Sequence, residues 1–533
     1  MLFNSYSYIF GFLPVTFLGF LILGRAGRAP ATLWLTAASI AFYAWWRPLN
    51  VLLIMPSIVF NYGAARLLER TSGSRPGMAR AILMAGIVCN ILFLGTFKYL
   101  SPVSHFLQDS TGFVAVIDSV VLPLGLSFIT FQKIAFLVDV HAGRAGRFSL
   151  HEYALFVLFF PQLIAGPIVH YREMMPQFRA MPCRFNADDV AVALTLFFLG
   201  LAKKLVLADP IGRLIDPFYN QAAAGVPQTA TEAWIAALGF TLQIYFDFSG
   251  YCDMALGSAR LFGIKLPPNF NSPLKATSII DFWQRWHISL TRFLTAYIYT
   301  PLTITLARRR TPRLGAAARS ITVAFFLLLL VLPTMVTMFI SGLWHGSGLT
   351  FVLWGLLHGL LLCINHAWRM LRPGPAWRRR VSLIAWPVTF LSVVFAMVLF
   401  RAPSVVAAGS LWADMVGVHG VALPQGLLTR LGDFGTWLVS LGIEPAWTSG
   451  SILTSAVIRI GVMLLIALGS PNLLELLAAH EPALGFKPRP NPARQDAALM
   501  WTPSGTWAFG VACAAAAGIL LLGEVHAFIY WQF

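Results

Sequence analysis

Two histidines stand among neighbours that suit chemistry. His345 lies in SGLWHG, Ser341 to Gly346, just after the almost purely apolar run ITVAFFLLLLVLPTMVTMFI. His287 lies in QRWHIS, within the aromatic-rich stretch NFNSPLKATSIIDFWQRWHISLTRFLTAYIYTPL. Imidazole is the side chain whose ordinary pKa best suits proton transfer near neutral pH. Gly342, Gly346 and Gly348 surround His345, which predicts a backbone that bends and a site that a substrate can approach closely. The residues alone leave two readings of His345 open: a reactive group held at membrane depth, or an interfacial residue. His287 shares the ambiguity. A helix started by Ser278 or Asp281 would line Phe282, Trp286 and Ser289–Leu290 along one face and Asp281, Arg285, Ile288 and Arg292 along another. That is the pattern of an interfacial anchor. Four residues after His287 stands Thr291, so zinc chemistry of the HExxH type is not supported and no metal site is predicted.

Carboxylates offer less. Asp247 and Asp253 sit in or beside an apolar span, in YFDFSGYCDMALGSARLFG. Charges at such depth face a cavity or a partner and mark function. Six residues apart, they do not share a helical face, so a paired-carboxylate site is not expected. Arg260, Lys265 or backbone N–H groups are the expected partners. His358 and His366, eight apart, read as satisfied interior histidines. Cys89, Cys183, Cys252, Cys363 and Cys513 show no CxxC spacing and read as small buried apolar residues rather than as a disulfide or zinc framework.

The elements that must position these groups belong to a membrane protein. Of 533 residues, 58% are hydrophobic and 11% charged, against about a quarter charged in soluble domains. Apolar runs long enough to cross about 30 Å of hydrocarbon lie near 8–24, 31–46, 50–65, 81–97, 114–138, 153–169, 189–208, 233–256, 320–341, 348–368, 382–401, 455–471 and 506–523. Residues 8–24 read as a retained span, because no basic region precedes them. Run 153–169 contains Pro161 and Gly166-Pro167, which break helices, so it reads as re-entrant. The loops 25–30, 66–80, 139–152, 171–188, 257–319, 369–380 and 484–495 then share one side and carry most of the 38 Lys and Arg. By the positive-inside rule that side is the cytoplasm, giving about twelve crossings with both ends outside. The basic loops also account for the net charge of +17 without nucleic acid as a partner, since no nucleic-acid-binding motif accompanies them. The outer loop 402–454, with Trp412, Trp437 and Trp447, is expected on the membrane surface. No internal repeat is visible, which counts against a repeat-built transporter.

At the two histidine segments the chain resembles a known family. SGLWHGSGLTFVLWGLLHG, with DFWQRWHISLTRFL before it, is similar to the membrane-bound O-acyltransferase (MBOAT) family. The opening MLFNSYSYIFGFLPVTFLGF, the middle LPLGLSFITFQKIAFLVDV, FFPQLIAGPIVHY and FDFSGYCDMA, and the closing FIYWQF look like its bacterial branch, the alginate O-acetyltransferase AlgI type. The match runs over essentially the whole chain. It implies an all-α fold with about 12 transmembrane helices and re-entrant segments around a central tunnel, forming a single domain over 1–533 in the bacterial inner membrane.

The resemblance implies two catalytic positions, here His345 and His287, and acyl transfer from a thioester to a hydroxyl. The donor would be cytoplasmic, acetyl-CoA or another acyl thioester, with no permanently bound cofactor. The acceptor would be an extracytoplasmic polysaccharide such as alginate, cellulose or peptidoglycan, reached directly or through a periplasmic acetyl-transfer protein. His345 would act as general base, and His287 would orient or stabilise the donor carbonyl. Trp283, Trp286 and Trp344 would keep water from the thioester. Arg285, Arg292 and Arg308–Arg310 would attract a phosphate-rich donor. Asp281, Asp247, Ser249 and Gln243 complete the candidate substrate-binding set. The rival readings are D-alanyl transfer to teichoic acid and, in another class, a polytopic transporter.

Overall fold

The computed structural model describes residues 1–112, 123, 125–164, 166–314, 323–371, 375–446, 450–487 and 500–523. The closing FIYWQF, residues 315–322 of the long inner segment, much of 114–124, Trp447 and residues 488–495 of the last inner loop lie outside this set. Among the described residues, 8 helices are long and apolar enough to cross a membrane: Ser7–Gly24, Leu49–Thr71, Pro76–Asp109, Ala187–Ala223, Val323–His345, Leu349–Leu371, Ile384–Arg401 and Ile452–Gly469. Shorter helices, Arg28–Ala44 and Gly505–Leu520, cover the predicted runs 31–46 and 506–523. The run 233–256 falls within Ala230–Arg260, whose buried Asp247 and Asp253 set it apart from lipid-facing spans. The chain is an all-α multi-pass membrane protein. Among the described residues the exception is a pair of parallel strands in the 402–454 loop, Val421–Pro424 and Ile443–Ala446.

The described residues fall into two compact units. The first comprises Met1–Ala202, Gly250–Asn269 and the chain from Leu473 on; the second comprises Lys203–Ser249 and Phe270–Asn472. The first unit is built on an aromatic core. Phe3 stacks on Tyr251 at 4.8 Å, and the Tyr8 hydroxyl meets the Ser258 hydroxyl at 2.7 Å. Here the segment 153–169 takes the broken form its prolines predict. Ser149 and Glu152 form a reciprocal cap at the start of Leu150–Leu158, and the helix stops at Phe159. Its 9 residues reach about 14 Å at 1.5 Å per residue, too short to cross. A second short helix, Phe160–Leu163, follows.

In the second unit, the helix ending at His345 packs against Leu349–Leu371 as a tight hairpin. The glycines around His345 make this possible in a way the sequence reading did not foresee. A Cβ on Gly342 would lie 2.4 Å from the Phe351 carbonyl oxygen, and one on Gly346 would lie 2.2 Å from the Phe351 ring. On the facing helix, a Cβ on Gly355 would come within 2.3 Å of the Met338 carbonyl oxygen. Close backbone approach is how helices associate in lipid, where no hydrophobic force drives them together. At Gly342 and Gly346, space expected for a substrate is occupied by Phe351. These glycines serve the packing that fixes His345 at the helix end.

The hairpin gives the first prediction. Gly355→Val overfills a closed contact, at an expected cost of about 1–3 kcal/mol, and should lower the melting temperature read by size-exclusion thermal shift. Gly409→Ala, at a helical site with nothing within 4 Å of the added Cβ, should leave it unchanged or raise it.

Candidate active site

The continuous helix expected from Ser278 is instead two short ones. The Ser278 hydroxyl accepts from the Asp281 amide at 3.1 Å and caps Ile279–Trp283, as the sequence predicted. The helix then breaks, and Ile288–Leu294 begins anew with His287 at its N-cap, at φ 43°, ψ 53°. A non-glycine residue in the left-handed region carries backbone strain of about 1–3 kcal/mol, and such residues cluster at functional sites. The break turns the anchor-like face inward: Phe282, Trp283 and Trp286 are all buried, and His287 is 0% exposed.

That turn brings the two predicted histidines together. The His287 and His345 rings lie 6.5 Å apart, centre to centre. Trp344 packs on both, 6.1 Å from His287 and 4.8 Å from His345. Phe248 meets His287 edge-on at 4.8 Å. Trp354 and Phe400 close over His345 at 5.0 and 5.2 Å. Trp286 extends the wall by stacking on Phe282 and meeting Phe270 edge-on. Trp283 reaches the cluster through His358, donating from Nε1 to Nδ1 at 3.3 Å. The Trp354 ring packs on His358 at 5.0 Å. His287 lies outside the membrane-crossing helices, and burial lowers its imidazole from the ordinary value to about 3. It is therefore neutral at physiological pH and keeps one N–H to donate.

The other candidates have different surroundings. Asp281 and Arg285 pair at 3.0 Å, and Arg285 also donates to the Asn271 carbonyl. Gln243 packs directly over Gly212, where a Cβ would strike its Nε2 at 2.2 Å. Ser249 is buried, and its hydroxyl has no hydrogen-bond partner among the described residues. Asp247 does not pair with Arg260 or Lys265. It takes Lys204 Nζ at 2.6 Å, while Lys204 also reaches Asp209 at 3.0 Å, and all three side chains are buried. Arg260 instead pairs with Asp189, and Lys265 with Glu481. Three of the cysteines are buried as expected, whereas Cys89 and Cys513 lie exposed on apolar helices.

Several residues of the enclosure escaped the sequence reading. Trp354, Phe400 and Phe248 are aromatics in apolar runs, where nothing local separates a site wall from lipid-facing bulk. Ser341 had a signal: it stands one helical turn before His345, on the same face. Its hydroxyl and the Trp354 Nε1 are buried with no hydrogen-bond partner among the described residues.

Comparison with known proteins fits this geometry. The sequence model of the membrane-bound O-acyltransferase family matches residues 132–317, which include His287. A peptidoglycan O-acetyltransferase of Helicobacter pylori is 39% identical over 461 residues, covering 79% of this chain and 81% of that protein. A probable alginate O-acetylase AlgI of Pseudomonas aeruginosa is 35% identical over 445 residues, covering 83% of this chain and 76% of that protein. A teichoic acid D-alanyltransferase of Streptococcus thermophilus is 28% identical over 299 residues, covering 52% of this chain and 68% of that protein. The chain belongs to the membrane-bound O-acyltransferase family, in the branch of the alginate O-acetylase type. It is an O-acyltransferase.

The buried ion cluster gives the second prediction. Lys204→Met leaves two buried carboxylates without their shared cation and should cost about 3–5 kcal/mol, read as thermal unfolding of the purified protein. Adding Asp209→Asn and Asp247→Asn should recover much of that loss.

Proposed function

We propose that this chain moves an acetyl group from cytoplasmic acetyl-CoA to a hydroxyl of an extracytoplasmic polysaccharide, across the bacterial inner membrane. The acetyl group passes directly to sugar or through a periplasmic acetyl-transfer protein, with the whole chain acting as one domain. The observation that carries this reading is the 6.5 Å between the His287 and His345 rings inside one aromatic enclosure. His345 takes the acceptor hydroxyl's proton as the oxygen attacks the thioester carbon. The O–C bond forms, the C–S bond breaks, and the proton passes from the imidazolium to the departing thiolate. His287, neutral and fixed by its strained turn, donates to the carbonyl oxygen as negative charge develops there.

Trp344, Trp286 and Trp283 keep bulk water from the thioester. The Ser341 hydroxyl and Trp354 Nε1 offer hydrogen bonds to the bound acyl group. Gln243, one helical turn before Asp247 on the same face, and Ser249 border the donor. Arg285, held by Asp281, joins Arg292, Arg308 and Arg309 in attracting the donor's phosphates. The two relatives named for O-acetylation, at 39% and 35% identity over about four-fifths of the chain, support acetyl as the acyl group and a cell-envelope polysaccharide as acceptor. The D-alanyltransferase matches about half of the chain, which supports that reading less.

Transfer of labelled acetyl from acetyl-CoA to polymer in membrane vesicles tests the proposal. His345→Ala should lower the rate about 10²–10⁴-fold. His287→Asn, whose side chain tolerates the left-handed backbone, should lower it by about 10²-fold or more with the melting temperature little changed. Full transfer by either folded variant would refute the assigned role.

A further inference from the structure

Away from the histidines, the second unit carries a charge that its surroundings do not explain. Arg459 lies in the membrane-crossing helix Ile452–Gly469, seven residues or about 10 Å from its start at 1.5 Å per residue. Its side chain is exposed, and no ion pair holds it among the described residues. The neighbouring Ile458 and Val462 are exposed too, as on a lipid-facing surface. An arginine in that position needs an anionic partner or a route to the interface.

A cavity of about 440 Å³ opens beside it, lined by Val206, Leu207, Ser455, Ile458, Arg459, Val462 and Met463. The volume falls within the roughly 300–1,000 Å³ of small-molecule sites. Ser455, Arg459, Val462 and Met463 recur at helical spacing and form one wall. The other wall is built differently. Val206 and Leu207 belong to the π-helical turn Lys203–Ala208, a widened form often found at functional positions. Lys204 of that turn is locked inward by Asp209 and Asp247. The turn is thus anchored from inside by its cation and presents its apolar residues to the groove. The result is an apolar slot with one cation and one hydroxyl, a turn apart, on the same helical face.

We propose that this groove binds a phospholipid with an anionic headgroup. One acyl chain lies between Val206–Leu207 and the Val462–Met463 face, and Arg459 and Ser455 hold the phosphate. Charge complementarity selects the occupant: the slot is apolar where a chain would lie and cationic where a phosphate would. The arginine stem is long enough to carry its guanidinium from hydrocarbon depth toward the headgroup layer.

The test uses the full-length protein in nanodiscs made of equal parts phosphatidylglycerol and phosphatidylethanolamine, followed by native mass spectrometry of the lipids retained on detergent release. The wild type should retain phosphatidylglycerol about tenfold over phosphatidylethanolamine, a difference of about 1.4 kcal/mol. Arg459→Leu, an apolar change in an apolar span, should abolish the preference, and Arg459→Lys should keep most of it. Val462→Trp should fill the slot and lower retention of both lipids. Equal retention of the two lipids by wild type, an unchanged preference in Arg459→Leu, or release of the protein as a dimer without lipid would each overturn the proposal. Because Arg459→Leu alone decides the headgroup question, misfolding of the Val462→Trp variant would not protect it. The readout involves no acyl transfer, so it stands or falls independently of the roles given to the histidines.

Discussion

The protein must keep polar, reactive groups in an environment where desolvation is costly. In hydrocarbon, each unsatisfied backbone or side-chain polar group costs several kcal/mol, so such groups persist only where other protein groups surround them. His287 and His345 meet this constraint with aromatic rings. Phe248, Trp344, Trp354 and Phe400 close around the pair, excluding lipid while leaving ring edges and N–H groups nearby. The same desolvation keeps His287 neutral, which suits a donor to a developing oxyanion. A standing charge on His287 would be costly in so buried a place.

The supporting structure follows from the same constraint. In a membrane, irregular backbone persists only where protein buries it or where it lines a cavity, so position comes from tight packing. The glycine contacts of the 332–345 and 349–371 hairpin set His345 at a helix end, and the strained turn at residue 287 sets its partner. Pre-organisation of this kind is what electrostatic catalysis requires, because donors fixed in advance need not reorganise during the reaction. The Lys204 cluster solves a related problem. Two carboxylates and one ammonium, all buried, tie the π-helical turn to the long helix that carries Phe248. A single helix thereby supplies both the ion-pair anchor and a wall of the histidine enclosure.

The sequence revealed what depends on local pattern. Long apolar runs announced the membrane class, Pro161 and Pro167 announced a segment that does not cross, and Ser278 announced a helix start. His345 and His287 stood out by residue type, although only family resemblance joined them. What stayed hidden depends on contacts between distant segments. Nothing local says that the helix after Ser278 must break at His287, because the αL backbone there is imposed by packing rather than by a glycine. Gly342 and Gly346 looked like room for a substrate, and only the facing helix reveals Phe351 in that space. Asp247 found Lys204, 43 residues away, rather than the nearer Arg260. The Trp354 and Phe400 walls read in sequence like any aromatic in a span.

The chemistry of the histidine pair also bears on specificity. In the roles proposed for them, a base that takes a hydroxyl proton and a donor that faces a carbonyl oxygen both act on groups every acyl transfer shares. Neither senses what the acyl carbon carries, which is consistent with relatives named for acetyl and for D-alanyl transfer. Discrimination must then come from the walls. An acetyl methyl needs only a small apolar contact surface, and the edge-to-face rings of Trp354, Phe351 and Phe400 form an apolar wall beside His345. A D-alanyl group would bring an ammonium, which in a buried site needs a carboxylate or an open ring face. Among the described residues of this unit, the buried carboxylates Asp209 and Asp247 already hold Lys204 and Asp414 meets His419, and the rings around His345 pack on one another. In the proposed reaction the enclosure would thus take an uncharged acyl group, and the choice of acceptor would rest on residues beyond the two imidazoles.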